Sequence, residues 1–244
     1  MIQRIRYEEL YPSEITAMMA SKPLAVVPLG LLEWHGEHLP LGQDGLKAEG
    51  LCTMLIKKLG YGVQLPVFWW SRPGFSSFEG TLTFSSAAVE LMLYELLGQL
   101  RKIGAKVIVL MTGHYGPCQV DMLKRVADTY VRENPGITVI AAPEYEGVTV
   151  NGETPADHAG KWETSLFSYF QPELTRMEAF KGGVETVGQY ENPPHDYYHE
   201  NPVWEWREDL RDTNVASPQR GRVAAEAIIE VWAQRVEKAM TQYN

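Results

Sequence analysis

A carboxylate and an imidazole stand two positions apart just after the first apolar segment of the chain. They belong to Glu33 and His35, and the carboxylate of Asp44 follows nine positions later. On an extended segment, residues i and i+2 point to the same side, so Glu33 and His35 can present their side chains together. Mixed oxygen and nitrogen ligands of this kind suit zinc, manganese or iron better than calcium. The spacing therefore indicates a candidate transition-metal site.

Two more histidines follow other apolar segments. His114 comes directly after residues 106–111, and His158 lies in the segment after residues 137–142. In an open parallel sheet, ligands bind beyond the carboxyl ends of the strands, where such residues meet. A lone histidine is more often a packed or surface residue than a ligand. Spacing alone therefore leaves both the metal-site and the structural interpretation open.

The elements that must position these residues can be predicted from hydrophobic patterning. Residues 25–30, 106–111 and 137–142 are short apolar runs, a pattern typical of buried strands. Residues 89–103 carry apolar side chains on one helical face, with Ser85 and Ser86 as candidate caps before them and Gly104 after them.

Further helices are predicted over residues 45–59, 119–132 and 222–240. Apolar strands that alternate with helices indicate a mostly parallel sheet covered on both faces. We therefore expect a three-layer α/β/α fold that forms one domain over residues 1–244.

Composition excludes several classes of protein. The chain has 244 residues, of which 45% are hydrophobic, and a formal net charge of -9, which argues against a general nucleic-acid binder. Apolar runs stay well short of the ~20 residues that a membrane span needs, and the N-terminus lacks the apolar region of a signal peptide. With Cys52 and Cys118 as its two cysteines, the chain is expected to be cytoplasmic.

Residues 181–214 differ from this regular pattern. The segment is rich in proline and asparagine, and several of its side chains are aromatic or imidazole groups: His195, Tyr197, Tyr198, His199, Trp204 and Trp206. A long segment without predicted secondary structure inside a compact domain usually has a function. We expect either a lid over an active site or a surface that packs against another subunit.

Three segments of the chain resemble, in order, the signature segments of the creatininase (creatinine amidohydrolase) family. They read PLGLLEWHGEHLPLGQDG, TGHYGP and DHAGKWETS. Weaker similarities are present at residues 78–81 and 217–221, so the resemblance covers nearly the whole chain. It implies the creatininase-like form of the α/β/α fold and a homo-oligomer, often a hexamer.

The resemblance implies five metal ligands and two divalent ions per subunit, of zinc, manganese or iron. The ligands would be Glu33, His35, Asp44, His114 and Glu163. Asp44 matches the carboxylate that bridges two metals. Creatininase itself has a carboxylate where Gly116 stands here, and Glu163 matches the ligand that other members use instead.

The same resemblance implies catalytic residues. His158 matches the catalytic histidine, which would carry a proton to the leaving nitrogen, and Asp157 beside it would orient His158 or lie on the surface. Thr112 and Lys161 depart from the family pattern, which questions the substrate more than the hydrolysis.

The expected activity is hydrolysis of a non-peptide amide C–N bond in a small molecule, a cyclic amide or a formamide. Within the family, a formamidopyrimidine-type deformylase and a peptide-trimming enzyme are alternatives. Outside it, a metal-dependent lyase or epimerase and a non-catalytic binding protein are further alternatives.

Overall fold

Four parallel strands form the central sheet of the molecule. They run in the order β2 (Val63–Gln64), β1 (Leu24–Leu29), β3 (Val107–Thr112) and β4 (Thr138–Pro143). The three long strands begin and end within one residue of the predicted segments. The structure is a computed structural model that describes residues 4–71, 75–190, 201–206, 208 and 215–243.

Alternate strand residues fill two separate apolar layers. In β1, Leu24 and Val26 pack into one layer, whereas Ala25 and Val27 pack into the other. All six residues of β1 are buried, as are all six of β3. Successive side chains of a strand point to opposite faces, so a strand that is apolar throughout requires cover on both sides.

Six helices supply that cover. One face of the sheet carries α1 (Pro12–Ser21), α3 (Ser86–Lys102) and α4 (Pro117–Glu133). The other carries α2 (Gln43–Leu59), α5 (Lys161–Phe170) and α6 (Pro218–Met240). Short 3-10 helices lie at Tyr7–Glu9, Pro172–Leu174, Met177–Ala179 and Thr241–Tyr243. The fold is the three-layer α/β/α arrangement that the sequence predicts.

Helix ends follow the predicted capping pattern. Ser85 accepts a hydrogen bond from the backbone N–H of Ala88 at the start of α3, and Gly104 just beyond that helix has a φ of +105°. Ser217 caps α6 by accepting a hydrogen bond from the backbone N–H of Arg220.

Within the described part of the chain, none of the helices combines the length and apolar character needed to cross a membrane.

The strand ends bring the chemically active segments to one edge of the sheet. Leu29 at the end of β1 is in register with Thr112 of β3, which is in register with Pro143 of β4. The chain therefore leaves all three strands at the same level. The segments that follow carry Glu33, His114 and a further carboxylate, Glu144.

Two glycines let α2 lie directly on this edge. A Cβ atom on Gly113 would lie 2.2 Å from the backbone oxygen of Asp44, and one on Gly30 would lie 2.2 Å from the backbone nitrogen of Gly45. Any larger residue at Gly30 or Gly113 would push the first turn of α2 away. Asp44 in that turn is thus held against the ends of β1 and β3.

A small antiparallel sheet lies beyond the main domain core. It pairs β5 (Val184–Thr186) with β6 (Val203–Glu205), so residues 181–214 contain secondary structure that the sequence did not predict. Trp204 and Trp206 pack against Trp34 with ring centroids 5.7 and 5.5 Å apart. The other predicted aromatic and imidazole residues of this segment, His195, Tyr197, Tyr198 and His199, lie outside the described residues.

Candidate metal centre

His35 is buried, and its two ring nitrogens have different surroundings. Nδ1 lies 3.0 Å from the backbone oxygen of Glu33, which can only accept, so Nδ1 carries a proton. Nε2 lies 3.2 Å from Oδ1 of Asp44 and 3.5 Å from Oε2 of Glu163. Neither contact has the geometry of a hydrogen bond. In a neutral imidazole Nε2 holds a lone pair, so three electron-rich atoms face one another. Only a cation, either a proton or a metal ion, can occupy that point stably.

Asp44 faces a second histidine with its other oxygen. Oδ2 of Asp44 lies 3.3 Å from Nδ1 of His114, and Oε2 of Glu33 lies 3.2 Å from the same nitrogen. Asp44 thus offers one oxygen toward each imidazole, as a carboxylate shared by two cations would. The other oxygen of Glu33 accepts the backbone N–H of Phe75 at 2.8 Å, which fixes the orientation of this carboxylate.

The five predicted ligands therefore come together in space. Their ligand atoms lie within 4.8 Å of one another in two groups that share Asp44: Glu33, Asp44 and His114 in one, and His35, Asp44 and Glu163 in the other. A third group brings His158 to Glu33 and His35. The donor set of imidazole nitrogens and carboxylate oxygens fits zinc, manganese or iron.

Electrostatics favour the charged forms of these groups. Burial favours a neutral carboxyl, but the imidazoles of His114 and His35 outweigh burial and lower the pKa values of Glu33 and Asp44 to about 2. Burial alone would lower the pKa of His35, yet the carboxylates of Asp44 and Glu163 raise it to about 9. In the metal-free protein, charged carboxylates and charged imidazoles thus converge where the ligand atoms meet.

Glu163 is held on both sides in the first turn of α5. Its Oε2 accepts the backbone N–H of Ala159 at 2.7 Å, and its Oε1 lies 2.9 Å from Nζ of Lys47. Ala159 has a φ of +49°, unusual for a residue with a Cβ atom, and this turn directs its N–H toward Glu163. Burial opposes ionisation of Glu163, but Lys47 and His35 outweigh it and lower the pKa to about 2.

His158 lies beside the ligand cluster. Its Nε2 lies 3.0 Å from the backbone oxygen of Trp34, and its ring centroid is 4.4 Å from that of His35. Phe75 and Trp204 pack against the same ring, with centroids 4.3 and 5.4 Å away. Burial, followed by the charge of His35, lowers the pKa of His158 to about 4, so this imidazole is neutral near pH 7.

Asp157 is occupied by backbone groups. Its carboxylate accepts hydrogen bonds from the backbone N–H groups of Gly160, Trp162 and Glu163 at 2.9–3.1 Å. These bonds satisfy free N–H groups at the start of α5, as an N-terminal cap does. Asp157 therefore stabilises the turn that carries His158 and Glu163.

A cleft of about 290 Å³ opens onto the cluster. Its walls include Phe75, Tyr115, Pro117 and His158, and Glu33 and Asp44 lie at its base. The cleft therefore combines a polar, charged floor with mainly flat, apolar walls, as expected of a small-molecule site.

Comparison with known proteins identifies the family. A profile of the family Creatininase, described as creatinine amidohydrolase, matches residues 8–236.

The chain belongs to the creatininase family.

The relatives of this chain include two kinds of hydrolase. Creatinine amidohydrolase of Pseudomonas putida is 22% identical over 236 residues, which cover 89% of this chain and 88% of that protein. The mycofactocin precursor peptide peptidase of Mycolicibacterium smegmatis is 27% identical over 157 residues, 62% of this chain. The match spans 59% of the length of that peptidase. Metal-dependent amidohydrolase, the class expected from the sequence, is the class of this family.

Solved creatininase structures share the fold. A manganese creatininase superimposes with a TM-score of 0.80 at 20% identity, covering 98% of this chain and 99% of that one. A creatininase variant of Zn-Zn type gives a TM-score of 0.77, with the same identity and coverage. A protein from Bacteroides fragilis described as a putative creatinine amidohydrolase gives 0.72 at 17% identity. These similarities confirm the predicted fold.

Two charged residues next to the centre were missed in the sequence. Lys47 in α2 and Glu144 just after β4 are fully buried and lie 2.8 Å apart. Lys47 stands three positions after Asp44, hence on the same helix face, and Glu144 follows a strand end in the way His114 does. These positions are weak signals, and neither residue was identified from them.

The two departures from the creatininase pattern lie in different places. The hydroxyl of Thr112 donates to the backbone oxygen of His114, so this threonine supports the turn of a candidate ligand. Lys161 forms an ion pair with Glu153 and lines a separate cavity, away from the ligand cluster. His38 contacts the backbone oxygen of Ala159 through Nε2 and is structural in this arrangement.

Proposed function

We propose that this chain is a metal-dependent hydrolase that cleaves an amide C–N bond in a small molecule. The observation that carries the proposal is the position of Asp44, whose two oxygens face His35 and His114 at 3.2 and 3.3 Å. A buried carboxylate placed in this way suits two cations better than it suits a structural role.

Two sets of side chains would hold the cations. Glu33, Asp44 and His114 would bind one ion, and His35, Asp44 and Glu163 would bind the other. When bound, divalent ions lower the pKa of water and polarise a carbonyl oxygen, which is the chemistry that amide hydrolysis requires. The manganese and Zn-Zn creatininases among the structural relatives support a divalent metal of this kind.

His158 would transfer the proton. The carbonyl of Trp34 occupies Nε2–H, so Nδ1 of the neutral ring has the lone pair that can accept a proton. His158 would take a proton from the attacking water as the new C–O bond forms. It would then give this proton to the nitrogen as the C–N bond breaks. Because its pKa is lowered by burial, this imidazole is unprotonated near neutral pH.

The cleft favours a compact substrate. A volume of about 290 Å³ with Phe75, Tyr115 and Pro117 along its walls suits a flat, small group, and we infer a cyclic amide or a formamide. A creatininase variant complexed with creatine is among the structural relatives, which supports a small substrate. A formamidopyrimidine-type deformylase falls within this proposal.

Peptide trimming is a second candidate. It is favoured by the relatives described as mycofactocin precursor peptide peptidases, which are 26–28% identical over 62–72% of this chain. A peptide would have to enter the cleft by one end, because the described walls leave room for a small group only.

Trp204 and Trp206, in the described part of residues 181–214, would lie beside the cleft. The described part supports this because Trp204 packs on His158 and Trp206 packs on Trp34. We therefore propose that Trp204 and Trp206 help to cover the site, within one domain over residues 1–244. The homo-oligomeric state and the cytoplasmic location of the protein stay predictions from the sequence.

Metal reconstitution followed by a substrate panel tests the proposal. Metal-free protein would be loaded with Zn²⁺, Mn²⁺ or Fe²⁺ and assayed on cyclic amides, formamides and short peptides, with Asp44→Asn as the matched control. We expect turnover of a small amide by the loaded wild type and none by the variant. Cleavage of peptides alone would favour the second candidate. Turnover by Asp44→Asn, or by protein freed of metal, would refute metal-dependent hydrolysis at this site.

A further inference from the structure

A buried lysine stands directly behind the candidate centre. Lys47 has no exposed surface, and its Nζ lies 2.8 Å from Oε1 of Glu144 and 2.9 Å from Oε1 of Glu163. The ring of Tyr115 closes a third side, with its centroid 4.8 Å from Nζ. The ammonium group is thus enclosed by two carboxylates and an aromatic face.

Such an arrangement is not explained by stability alone. Removing an ammonium and two carboxylates from water costs free energy that their attraction only partly offsets. Apolar side chains of similar volume would often stabilise the interior as well or better. A function that requires the charges is therefore the better explanation for Lys47 and Glu144.

Lys47 acts through Glu163 and not on the substrate. The described lining of the cleft includes Glu163 and Tyr115, whereas Lys47 and Glu144 lie behind them. Because Oε1 of Glu163 is taken by Lys47, the oxygen left for other partners is Oε2. That oxygen is fixed by the backbone N–H of Ala159 at 2.7 Å and lies 3.5 Å from Nε2 of His35.

We propose that Lys47 and Glu144 form a positioning pair, which fixes Glu163 so that a single oxygen is offered to the cation held by His35 and Asp44. The inference rests on the proposed function and deepens it. It assigns the affinity of one of the two ions to a pair of residues that do not touch the metal.

Within the pair, the role of Glu144 is to offset the charge of Lys47. Lys47 carries one positive charge and contacts two carboxylates. Without Glu144, its ammonium would cancel the charge of Glu163 and repel a nearby divalent ion. With Glu144 present, the ammonium is shared between two carboxylates, at 2.8 and 2.9 Å, so it offsets less of the charge of Glu163. Both members are therefore needed for tight binding of that ion.

The test compares metal binding by wild type and by Lys47→Met/Glu144→Gln. This double variant removes the pair together and leaves no single unpaired charge buried. Mn²⁺ affinities would be measured by titration calorimetry, and electron paramagnetic resonance would distinguish single from spin-coupled manganese. We expect one ion to bind about 10–100-fold more weakly, with the other unchanged, and the spin-coupled signal to be lost at limiting Mn²⁺.

Two controls separate positioning from damage to the fold. Lys161→Met removes a lysine at the start of α5 whose partner, Glu153, is away from the centre, and both ions should bind as in wild type. If the double variant does not fold, Glu144→Gln alone keeps the volume and should weaken the same ion.

Unchanged affinity for both ions in a folded variant at these positions would overturn the inference. An equal loss of both ions would also overturn it, because that result indicates general damage. A wild type that binds no Mn²⁺ would instead contradict the proposed function, so the two failures are distinguishable.

Discussion

The backbone oxygen of Trp34 lies 3.0 Å from Nε2 of His158, although the two residues are 124 positions apart. This contact fixes both the position and the tautomer of the imidazole, because a carbonyl can only accept. Trp34 itself is held by the hydroxyl of Thr81, which accepts its backbone N–H at 3.0 Å. His158, the proposed proton carrier, is therefore oriented by the segment that also supplies Glu33 and His35.

Replacing His158 should slow turnover and spare the metals. Gln in this position can still donate to Trp34 but cannot carry a proton, so His158→Gln should reduce kcat by about 100-fold or more. Metal content measured by mass spectrometry should equal that of wild type. A variant that keeps most of its kcat would rule out His158 as the proton carrier.

Replacing Asp157 should affect stability. Its carboxylate accepts three backbone N–H groups at the start of α5, so Asp157→Ala should lower the free energy of unfolding by about 1–2 kcal/mol. Urea denaturation would measure the change. A stable variant with a large loss of kcat would show instead that Asp157 acts on the imidazole next to it.

The metal-free protein should lose stability as pH rises. The folded-state pKa of His35, about 9, lies above its ordinary value of 6.5, so its protonation stabilises the fold fully below pH 6.5. This contribution, on the order of 3 kcal/mol, is lost as pH rises through about 9. Thermal unfolding of chelator-treated protein should therefore show a falling Tm across that window.

Metal loading and His35→Gln provide the controls for this pH effect. A bound cation replaces the proton, so the loaded protein should show no comparable fall. His35→Gln should reduce the fall in the metal-free form, to which His114 also contributes because burial is outweighed by Glu33 and Asp44, which raise its pKa. An equal fall in the metal-free wild type and the variant would mean that other groups cause it.

Gly113 should not tolerate a side chain. A Cβ atom there would lie 2.2 Å from the backbone oxygen of Asp44, and neither backbone can yield without moving α2. Gly113→Ala should therefore abolish metal binding and lower Tm. Gly98→Ala is the matched control, because a Cβ atom at this site in α3 meets nothing within 4 Å, and it should stabilise by up to about 1 kcal/mol. Normal metal binding by Gly113→Ala would contradict this packing.

The sequence predicted the elements with continuous or periodic apolar character. Residues 25–30 and 106–111 were recognisable because both faces of the sheet are covered, which makes every side chain apolar. Glu33, His35 and His114 could be placed at one edge of the sheet because parallel strands end there. Glu163 was predicted from the family resemblance and not from spacing.

Helix α5 was not predicted because residues 162–168 are all buried and three of them are Ser or Thr, so no polar face marks the helix. Thr164, Ser165 and Ser168 are buried along with its apolar residues, and some of their partners are distant in sequence. Ser165, for example, accepts the backbone N–H of Ser217. Lys47 was missed for the same reason, since its burial depends on Glu144 and Glu163, about 100 positions away. Contacts of this kind are set by the fold and leave no local pattern.

A crystal structure of the protein loaded with Mn²⁺, with anomalous scattering used to locate the ions, tests the central claim most directly. We predict two peaks in each subunit, one among Glu33, Asp44 and His114 and the other among His35, Asp44 and Glu163. Peaks elsewhere, or none at these side chains at saturating Mn²⁺, would contradict the account.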